Sequence, residues 1–314
     1  MTETTKTVFD KHEIRKSRKQ KNAFIDFVRS TAAAEGYECH TEKGYFGARN
    51  IVVGNPDTAK VVYTAHYDTC AVMPFPNLIT PKCIGLFLLY QIVIGILLVV
   101  IPSLLVVGLN SGLSACGIQV DFLLLYYVWL LLILATCGLV MAGPANKHTA
   151  NDNTSGVTTL LDIMQALPSD QRDGVAFVFF DLEEMGLFGS AGFANKHKKL
   201  AQNTLLLNFD CVSDGHTVLF ALRKGATRYS ETIKAAFPST ETHTVDMASK
   251  GVIYPSDQAN FTCGVGVAAL KKTKGGLLYM DRIHTGRDTV YEEDNIAYLT
   301  EGAVRLVQMM YQPQ

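Results

Sequence analysis

The residues best suited to chemistry in this 314-residue chain lie in five short stretches, each at the predicted end of a strand or start of a helix. The stretches are His66-Tyr67-Asp68, Asn151-Asp152-Asn153, Asp181-Leu182-Glu183-Glu184, Asn208-Phe209-Asp210 and Ile283-His284-Thr285. Any one of them alone indicates little, because a single strand histidine is usually a core residue and an acidic pair is usually solvated. Together they offer carboxylates and imidazoles, which suit zinc or a similar divalent ion.

The neighbouring acids Glu183 and Glu184 suit a particular division of work. A pair of ions needs one carboxylate that bridges them and further ligands for each ion. One of two adjacent acids can then bind metal while the other stays free as a base.

The elements that must position these residues follow from the apolar pattern. Helices are predicted over 10–35, over "SGVTTLLDIMQAL" with Thr154 or Ser155 as its cap, and over Glu292–Tyr311. Strands are predicted in "GYFGARNIVVG", "KVVYTAHYD", "GVAFVFFDLEE", "TLLLNFDCVSDG" and "GVGVAALKK". Continuous apolar strands that alternate with helices predict an α/β sheet covered on both faces, with the acids at the carboxyl ends of strands.

Two apolar runs, Ile84–Leu109 and Phe122–Met141, interrupt this pattern. Each is long enough to cross a bilayer as a helix, and neither carries a charge. The alternative is a pair of buried core helices, which rarely run this long without a charge. The link "NSGLSACGIQVD" predicts a tight turn without Lys or Arg, whereas Lys82 and Lys147 flank the other side. The positive-inside rule then places the flanks in the cytoplasm and the turn outside.

The order of the five motifs resembles the two-zinc aminopeptidases of the aminopeptidase Y and bacterial leucyl aminopeptidase family. The sequences that carry the resemblance are "TAHYDT", "NDNTSGV", "FFDLEEMGLFGS", "NFDCV" and "IHTGRDT", with "YPSDQANF" as a further landmark. The resemblance covers nearly all of the chain outside Ile84–Met141 and the first twenty residues. It implies a zinc-exopeptidase fold, a mixed sheet of the phosphorylase/hydrolase-like type with helices on both faces, into which a transmembrane helical hairpin is inserted.

The resemblance also implies a role for each site residue and two divalent ions as cofactors, with Zn²⁺ as the expected metal. His66 and Asp210 would bind one ion, Glu184 and His284 the other, and Asp152 both. Asp68 would orient His66 as its hydrogen-bonding partner, and Glu183 would be the general base that activates water.

The chain departs from this family in two places. Some family members carry a tyrosine that helps the oxyanion where this chain has Ile283. The connection between the first two motifs, short in soluble relatives, here contains the two apolar runs. The expected organisation is a discontinuous peptidase domain of residues 1–82 and 143–314 and a hairpin of residues 83–142, with spans at about 84–109 and 121–142. The metal site would then lie near the bilayer, unless 69–81 forms a long stalk.

Composition limits the remaining possibilities. The net charge of −1 gives no reason to expect nucleic acid, and the basic cluster of Lys11, Arg15, Lys16, Arg18, Lys19 and Lys21 is expected to be a solvated helix face. Seven scattered cysteines without a CxxC predict free thiols in a reducing compartment, and the polar N-terminal residues predict no cleaved signal peptide.

The expected function is that of a membrane-anchored metallopeptidase, an aminopeptidase acting on peptides, with two spans in the cell membrane and both termini in the cytoplasm. The alternatives are a glutaminyl cyclase-like acyltransferase with one zinc, a non-catalytic binding module, and a small transporter, for which spans without a charge make a poor pathway. The peptide preference, the choice between amino- and carboxy-terminal cleavage and the oligomeric state stay open.

Overall fold

A computed structural model describes residues 1–311, which form one twisted sheet with helices on both faces and a protruding helical hairpin. The strands are β1 (Cys39–Lys43), β2 (Arg49–Val53), β3 (Val61–His66), β4 (Val175–Phe180), β5 (Leu205–Phe209), β6 (Thr217–Leu222), β7 (Thr244–Ala248), β8 (Gly264–Lys272) and β9 (Leu278–Tyr279). The helices are α1 (Glu3–His12), α2 (Arg18–Ala34), α3 (Ile84–Ala115), α4 (Phe122–Ala142), α5 (Gly156–Ala166), α6 (Phe188–Lys196), α7 (Lys198–Asn203), α8 (Ser230–Ala236) and α9 (Glu293–Tyr311). The predicted α/β fold with a mixed sheet is confirmed.

The strand order β1-β2-β4-β3-β5-β8-β6-β7 places the chemistry-bearing strands together, and β9 pairs with β8. Strands β4, β3, β5 and β8 are parallel neighbours, whereas β2 and β6 pair with this group in the antiparallel sense. The register pairs His66 with Phe180, so β3 and β4 end at the same level. The residues that follow these strands therefore meet at one edge of the sheet, where open α/β sheets form their sites.

Alternating side chains of the central strands build two apolar layers. In β3 and β4, Val61, Tyr63 and Phe177 point to the face covered by α1, α2, α5 and α9, while Val62 and Val178 pack beneath α6 and α7. Every residue of β3, β4 and β5 is buried. A strand covered on both faces must be apolar throughout, which is why these strands are continuous rather than alternating runs.

The N-terminal region differs from the single helix predicted over 10–35. Helix α1 ends at His12, and α2 begins after Ser17, whose side chain forms a capping box with Gln20. The basic cluster is not a uniformly solvated face, because Arg15 is 0 % exposed and Lys21 only 7 %. Lys21 is paired with Asp181, which is itself buried.

The hairpin consists of α3 and α4, which pack against each other and are the helices of residues 1–311 that are long and apolar enough to cross a membrane. Their most apolar windows have mean hydropathies of 3.0 and 2.4 and are 11 % and 0 % buried. Helix α3 continues six residues beyond the predicted end at Leu109, so the turn is shorter than predicted. Pro102 does not end α3, and Trp129 of α4 donates to Ser103 Oγ beside it at 2.9 Å.

The two ends of the hairpin are held together at the sheet edge. Ala71 and Ala145 form an antiparallel bridge, the amide of Val72 donates to Pro144 O at 2.9 Å, and that of Asn146 donates to Cys70 O at 3.1 Å. The segment from 72 to 83 is not a free stalk, because Ile79 forms a bridge with Met280 in the body of the protein.

This pairing predicts that the hairpin can be removed without loss of the fold. Helix α3 has 32 residues and α4 has 21, so their ends at the body differ by about 16 Å at 1.5 Å per residue. A Gly/Ser linker of about ten residues in place of 84–141 spans that distance, and closing a loop of this size costs little free energy. We expect a soluble protein that binds as much metal as the full chain and whose circular dichroism differs from that of the full chain by the loss of α3 and α4 alone. Loss of metal on replacement would mean that α3 and α4 hold the site together.

Candidate metal centre

His66 ends β3 and directs its Nε2 towards two carboxylates. The Nε2 atom lies 3.2 Å from Asp152 Oδ1 and 3.5 Å from Asp210 Oδ1, and all three side chains are buried. On the other side of the ring, Nδ1 is 3.2 Å from the main-chain carbonyl of Asp68 and 3.6 Å from its carboxylate. A proton on Nδ1 leaves Nε2 with a free lone pair, which is the tautomer that a metal ligand requires.

Asp152 faces a second histidine with its other oxygen. Its Oδ2 lies 2.9 Å from His284 Nε2, which in turn lies 3.2 Å from Glu184 Oε2. Asp152 thus belongs to two groups of three, one with His66 and Asp210 and one with Glu184 and His284. Asp152 is therefore the carboxylate that the two groups share.

These separations suit divalent ions with tetrahedral coordination. Two ligand atoms on a tetrahedral zinc lie about 3.3 Å apart, since each is about 2.0 Å from the ion. The ligand atoms of His66, Asp152 and Asp210 lie within 4.8 Å of one another, as do those of Asp152, Glu184 and His284 with Cys70. Glu184 Oε1 is buried and has no hydrogen-bonding partner, which is costly unless a cation lies beside it.

The ionisation of the cluster indicates the same need for positive charge. Burial raises the pKa of Glu184 to about 8 and that of Glu183 well above its ordinary value. Burial would lower the pKa of His66, but the carboxylates of Glu183, Asp152 and Asp210 outweigh it and hold this pKa well above 6.5. Carboxylates this close cannot all ionise without a compensating cation. The raised pKa values mean that Glu184 and His66 hold protons that a bound metal ion would displace.

Asp68 links the first motif to the acidic pair. Its Oδ1 accepts from the amide of Glu183 at 3.1 Å, and its Oδ2 accepts from the amide of Glu184 at 3.3 Å. Burial alone would raise the pKa of Asp68, but its bonds and the charges of His66 and Lys21 hold it below the ordinary value. Asp68 therefore fixes the backbone that carries Glu183 and Glu184, in addition to its contact with His66.

Three buried residues without a predicted role at the site support the segment around Asp152. Asp288 accepts from the amides of Asn151 and Asp152 at 2.8 and 3.0 Å. The Asn153 amide donates to Phe209 O at 3.0 Å and accepts from the amides of Gly156 and Cys211, so it joins α5 to the end of β5. Arg15 donates to Tyr67 O at 2.6 Å and to Thr154 Oγ1 at 3.3 Å. Asn153 and Asp288 lie within recognised motifs, "NDNTSGV" and "IHTGRDT", whereas Arg15 lies in the basic cluster that was expected to be solvated.

The backbone is strained at the same place. Leu182, Cys211 and His284 are three of the five non-glycine residues with positive φ among residues 1–311, at 55°, 56° and 60°. Each precedes, follows or is a residue of the cluster. Such conformations cost about 1–3 kcal/mol each and are kept where the surrounding structure over-determines them, often at active sites.

A cavity of ≈ 260 Å³ opens above the cluster. Glu183 lines it together with the five residues of the two groups of three, and Ile283 does so beside His284. Tyr254 also lines the cavity, and its hydroxyl donates to the main-chain carbonyl of Asp210 at 2.8 Å. Among the acids and histidines of the five stretches, Asp181 lies apart from the cluster, since it pairs with Lys21 and accepts from the amide of Arg49.

Solved structures with the same fold include both peptidases and cyclases. The aminopeptidase LapA of Legionella pneumophila aligns with a TM-score of 0.57 at 12 % identity, over 99 % of this chain and 71 % of LapA. A leucine aminopeptidase precursor from Bacteroides thetaiotaomicron gives 0.57 at 14 %, over 99 % and 95 %. Glutaminyl cyclase of Porphyromonas gingivalis gives 0.57 at 15 %, over 97 % and 98 %. At these identities the likeness concerns the fold.

Sequence comparison gives the family. No significant match to a curated protein was found. The model of peptidase family M28 matches residues 137–307, more than half of the chain, and this range includes Asp152, Glu183, Glu184, Asp210 and His284. The chain therefore belongs to peptidase family M28, and a metal-dependent peptidase function follows from that membership.

Proposed function

We propose that this chain is a membrane-anchored aminopeptidase that works with two divalent ions, of which zinc is the expected one. The observation that carries the proposal is the shared carboxylate of Asp152, with Oδ1 at 3.2 Å from His66 and Oδ2 at 2.9 Å from His284. One carboxylate between two otherwise separate ligand sets is the arrangement that a two-metal site requires.

In this proposal, His66, Asp210 and Asp152 hold one ion, and Glu184, His284 and Asp152 hold the other. Two such ions would polarise the carbonyl of the bond to be cleaved and acidify a water molecule beside it. The chain's own residues then set orientation: Asp68 keeps the lone pair of His66 Nε2 free, and Tyr254 holds the carbonyl of Asp210. The Tyr254 hydroxyl already donates its proton to the carbonyl of Asp210. It therefore does not replace the tyrosine that some family members carry at the position of Ile283.

Glu183 is the proposed general base. It lines the cavity beside His66 and is the acid of this pair that neither histidine approaches within 4.0 Å. Its carboxylate faces the cavity where the attacking water would lie, so it can accept the proton of that water. The same carboxyl then gives that proton to the nitrogen of the departing amine, so that the base is regenerated at the end of the cycle.

The lining of the cavity favours cleavage at the amino end of peptides. Among residues 1–311, the side chains that line it include four carboxylates and neither Lys nor Arg. A carboxypeptidase needs a cation for the terminal carboxylate of its substrate, and arginine is the usual partner. Lys16 acts on Glu184 and Asp68 through its charge but does not line the cavity. The described lining therefore offers no Lys or Arg partner for a terminal carboxylate, which favours a substrate that enters by its amino end.

Anchoring through α3 and α4 is part of the proposal. Large apolar side chains of both helices face outward, among them Leu104 at 65 % and Leu131 at 66 % exposure. A soluble protein rarely leaves so large an apolar surface uncovered. The absence of Lys and Arg from 110–121, together with Lys82 and Lys147 at the other end, favours a cytoplasmic peptidase domain and an outer turn.

The first prediction separates two metals from one. Dialysed protein should retain two equivalents by mass spectrometry, the Asp210→Asn variant one, and Asp152→Asn fewer than one, since only Asp152 serves both ions. The two variants remove the same charge from neighbouring buried acids, so each is the control for the other, and thermal melting checks their fold. A single equivalent in the unchanged protein would favour a glutaminyl cyclase-like site instead.

A second prediction concerns the base. The Glu183→Gln variant should keep both ions and lower kcat for leucine p-nitroanilide by about 10²–10⁴-fold, because it removes only the proton acceptor. Glu184→Gln should lose metal as well as activity. The N-acetylated substrate should resist the unchanged enzyme, and a peptide with N-terminal glutamine should be hydrolysed rather than cyclised. Near-normal turnover by Glu183→Gln would exclude this residue as the base.

A third prediction concerns topology. Cys116 is exposed at the turn between α3 and α4, whereas Cys211 and Cys263 are buried in the peptidase domain. A membrane-impermeant maleimide should label intact cells at Cys116, and Cys116→Ser should abolish the label. Ser30→Cys on exposed α2 is the matched reporter for the domain and should react only after permeabilisation. Labelling of Ser30→Cys in intact cells would contradict the cytoplasmic placement of the peptidase domain.

A further inference from the structure

The first turns of α3 form part of the wall of the catalytic cavity. Phe87 and Gln91 line it together with the metal-site residues, and they lie one helical turn apart on the same face of α3. Asn77 and Ile79, from the segment that leads into the helix, line the same cavity. The hairpin therefore contributes to the space in which a substrate would lie, beyond serving as an anchor.

The outward face of the first turns of α3 is apolar and exposed. Leu88, Leu89 and Ile92 are 49 %, 57 % and 58 % exposed and do not line the cavity. Gln91 is the one amide in the apolar run Ile84–Leu109. A side-chain amide in hydrocarbon would cost several kcal/mol, and its position at the cavity keeps it hydrated or hydrogen-bonded. The pattern of the helix thus separates a lipid face from a cavity face.

The length of α3 places the cavity at the membrane surface. Its 32 residues extend about 48 Å, whereas the hydrocarbon core is about 30 Å thick and needs about 20 residues. Twenty residues counted back from the polar Asn110 begin near Gln91. Phe87 and Gln91 then lie at the interface on the side of the peptidase domain, with Tyr90 between them as an interfacial aromatic residue.

This wall is fixed to the body of the protein rather than loosely tethered. Lys82 Nζ lies 2.8 Å from both carboxylate oxygens of Asp246, and the Tyr90 hydroxyl donates to Pro76 O. The amide of Met73 donates to the carbonyl of His284 at 2.7 Å, which links the leading segment directly to a proposed metal ligand. These contacts hold the backbone that carries Phe87 and Gln91. Side chains on a fixed backbone can discriminate between substrates, because they cannot move aside at low cost.

We propose that the first two turns of α3 are the specificity wall of the peptidase, and that the preferred substrates are peptides with an apolar first residue presented at the membrane surface. This inference rests on the function proposed above. Phe87, with Ile79 and Met280, contacts the first side chain, and Gln91 hydrogen-bonds the peptide backbone at the rim. The cavity of ≈ 260 Å³ is smaller than the 300–1,000 Å³ of sites for drug-sized ligands, so it admits about one residue.

The test uses the full chain in lipid nanodiscs and two probes, leucine hydroxamate and glycine hydroxamate. Both chelate metal through the same group and differ only in the side chain, so their ratio of Kd, measured by calorimetry, reports the wall without any turnover. Phe87→Ala should reduce the preference for leucine about tenfold, within the range of one apolar contact. Gln91→Ala should raise the KM of a leucyl dipeptide by a factor of about three to ten and weaken the hydroxamates less, because only the dipeptide has the backbone that Gln91 contacts. Leu89→Ala, on the lipid face of the same turn, is the matched control and should change neither.

The outcomes separate this inference from the function on which it rests. A leucine preference that is the same in Phe87→Ala and Leu89→Ala would overturn the wall, whether or not leucine p-nitroanilide is hydrolysed. A preference lost in Phe87→Ala, in a protein that hydrolyses no peptide substrate, would retain the wall and overturn the peptidase proposal. Failure of the unchanged protein to bind either hydroxamate would overturn both.

Discussion

The mutual repulsion of buried carboxylates is the constraint around which this structure is organised. Asp68, Asp152 and Asp210 are at most 6 % exposed, and Glu183 and Glu184 follow Asp181 at the same edge of the sheet. Such a cluster is stable only when positive charge enters it. The imidazoles of His66 and His284 supply part of it, and Arg15, fully buried, acts on Asp68 and Asp152 from below. The negative charge that these groups leave uncompensated makes the cluster suited to bind cations.

The fold meets this constraint by dividing the proposed metal ligands among elements that cannot move independently. His66 is the last residue of β3, and Asp210 directly follows β5, the parallel neighbour of β3. Asp152 lies in the turn before α5. Asn153 and Asp288 then join these pieces through buried hydrogen bonds. Because each ligand is held by a different element, the distances among them are set by the whole sheet, and a small shift of one strand would be felt by both groups of ligands.

The sequence predicted the parts of this arrangement that depend on local pattern. The strands that precede His66, Asp181 and Asp210 were recognisable because strands buried on both faces must be apolar throughout, and the acids mark their ends. Strands β1, β6, β7 and β9 were not predicted: in β1, "CHTEK" is mostly polar and exposed, so an edge strand of this kind carries no apolar run. The support from Arg15 could not be foreseen either. A basic residue in a basic stretch looks solvated, and only the path of the chain between α1 and α2 shows that its guanidinium is enclosed.

The position of the hairpin is the step at which fold and chemistry meet. An insertion at most surface loops would add an anchor and leave the site unchanged, since loops are tolerant of added length. Here the connection that was opened runs from Asp68 to Asp152, so its first residues must pass over the ligands before they can leave the body. The bridge of Ile79 to Met280 and the bond of Met73 to His284 record that path. A helix that starts from such a segment begins at the cavity, and Phe87 and Gln91 of its first turns line that cavity together with the proposed metal ligands.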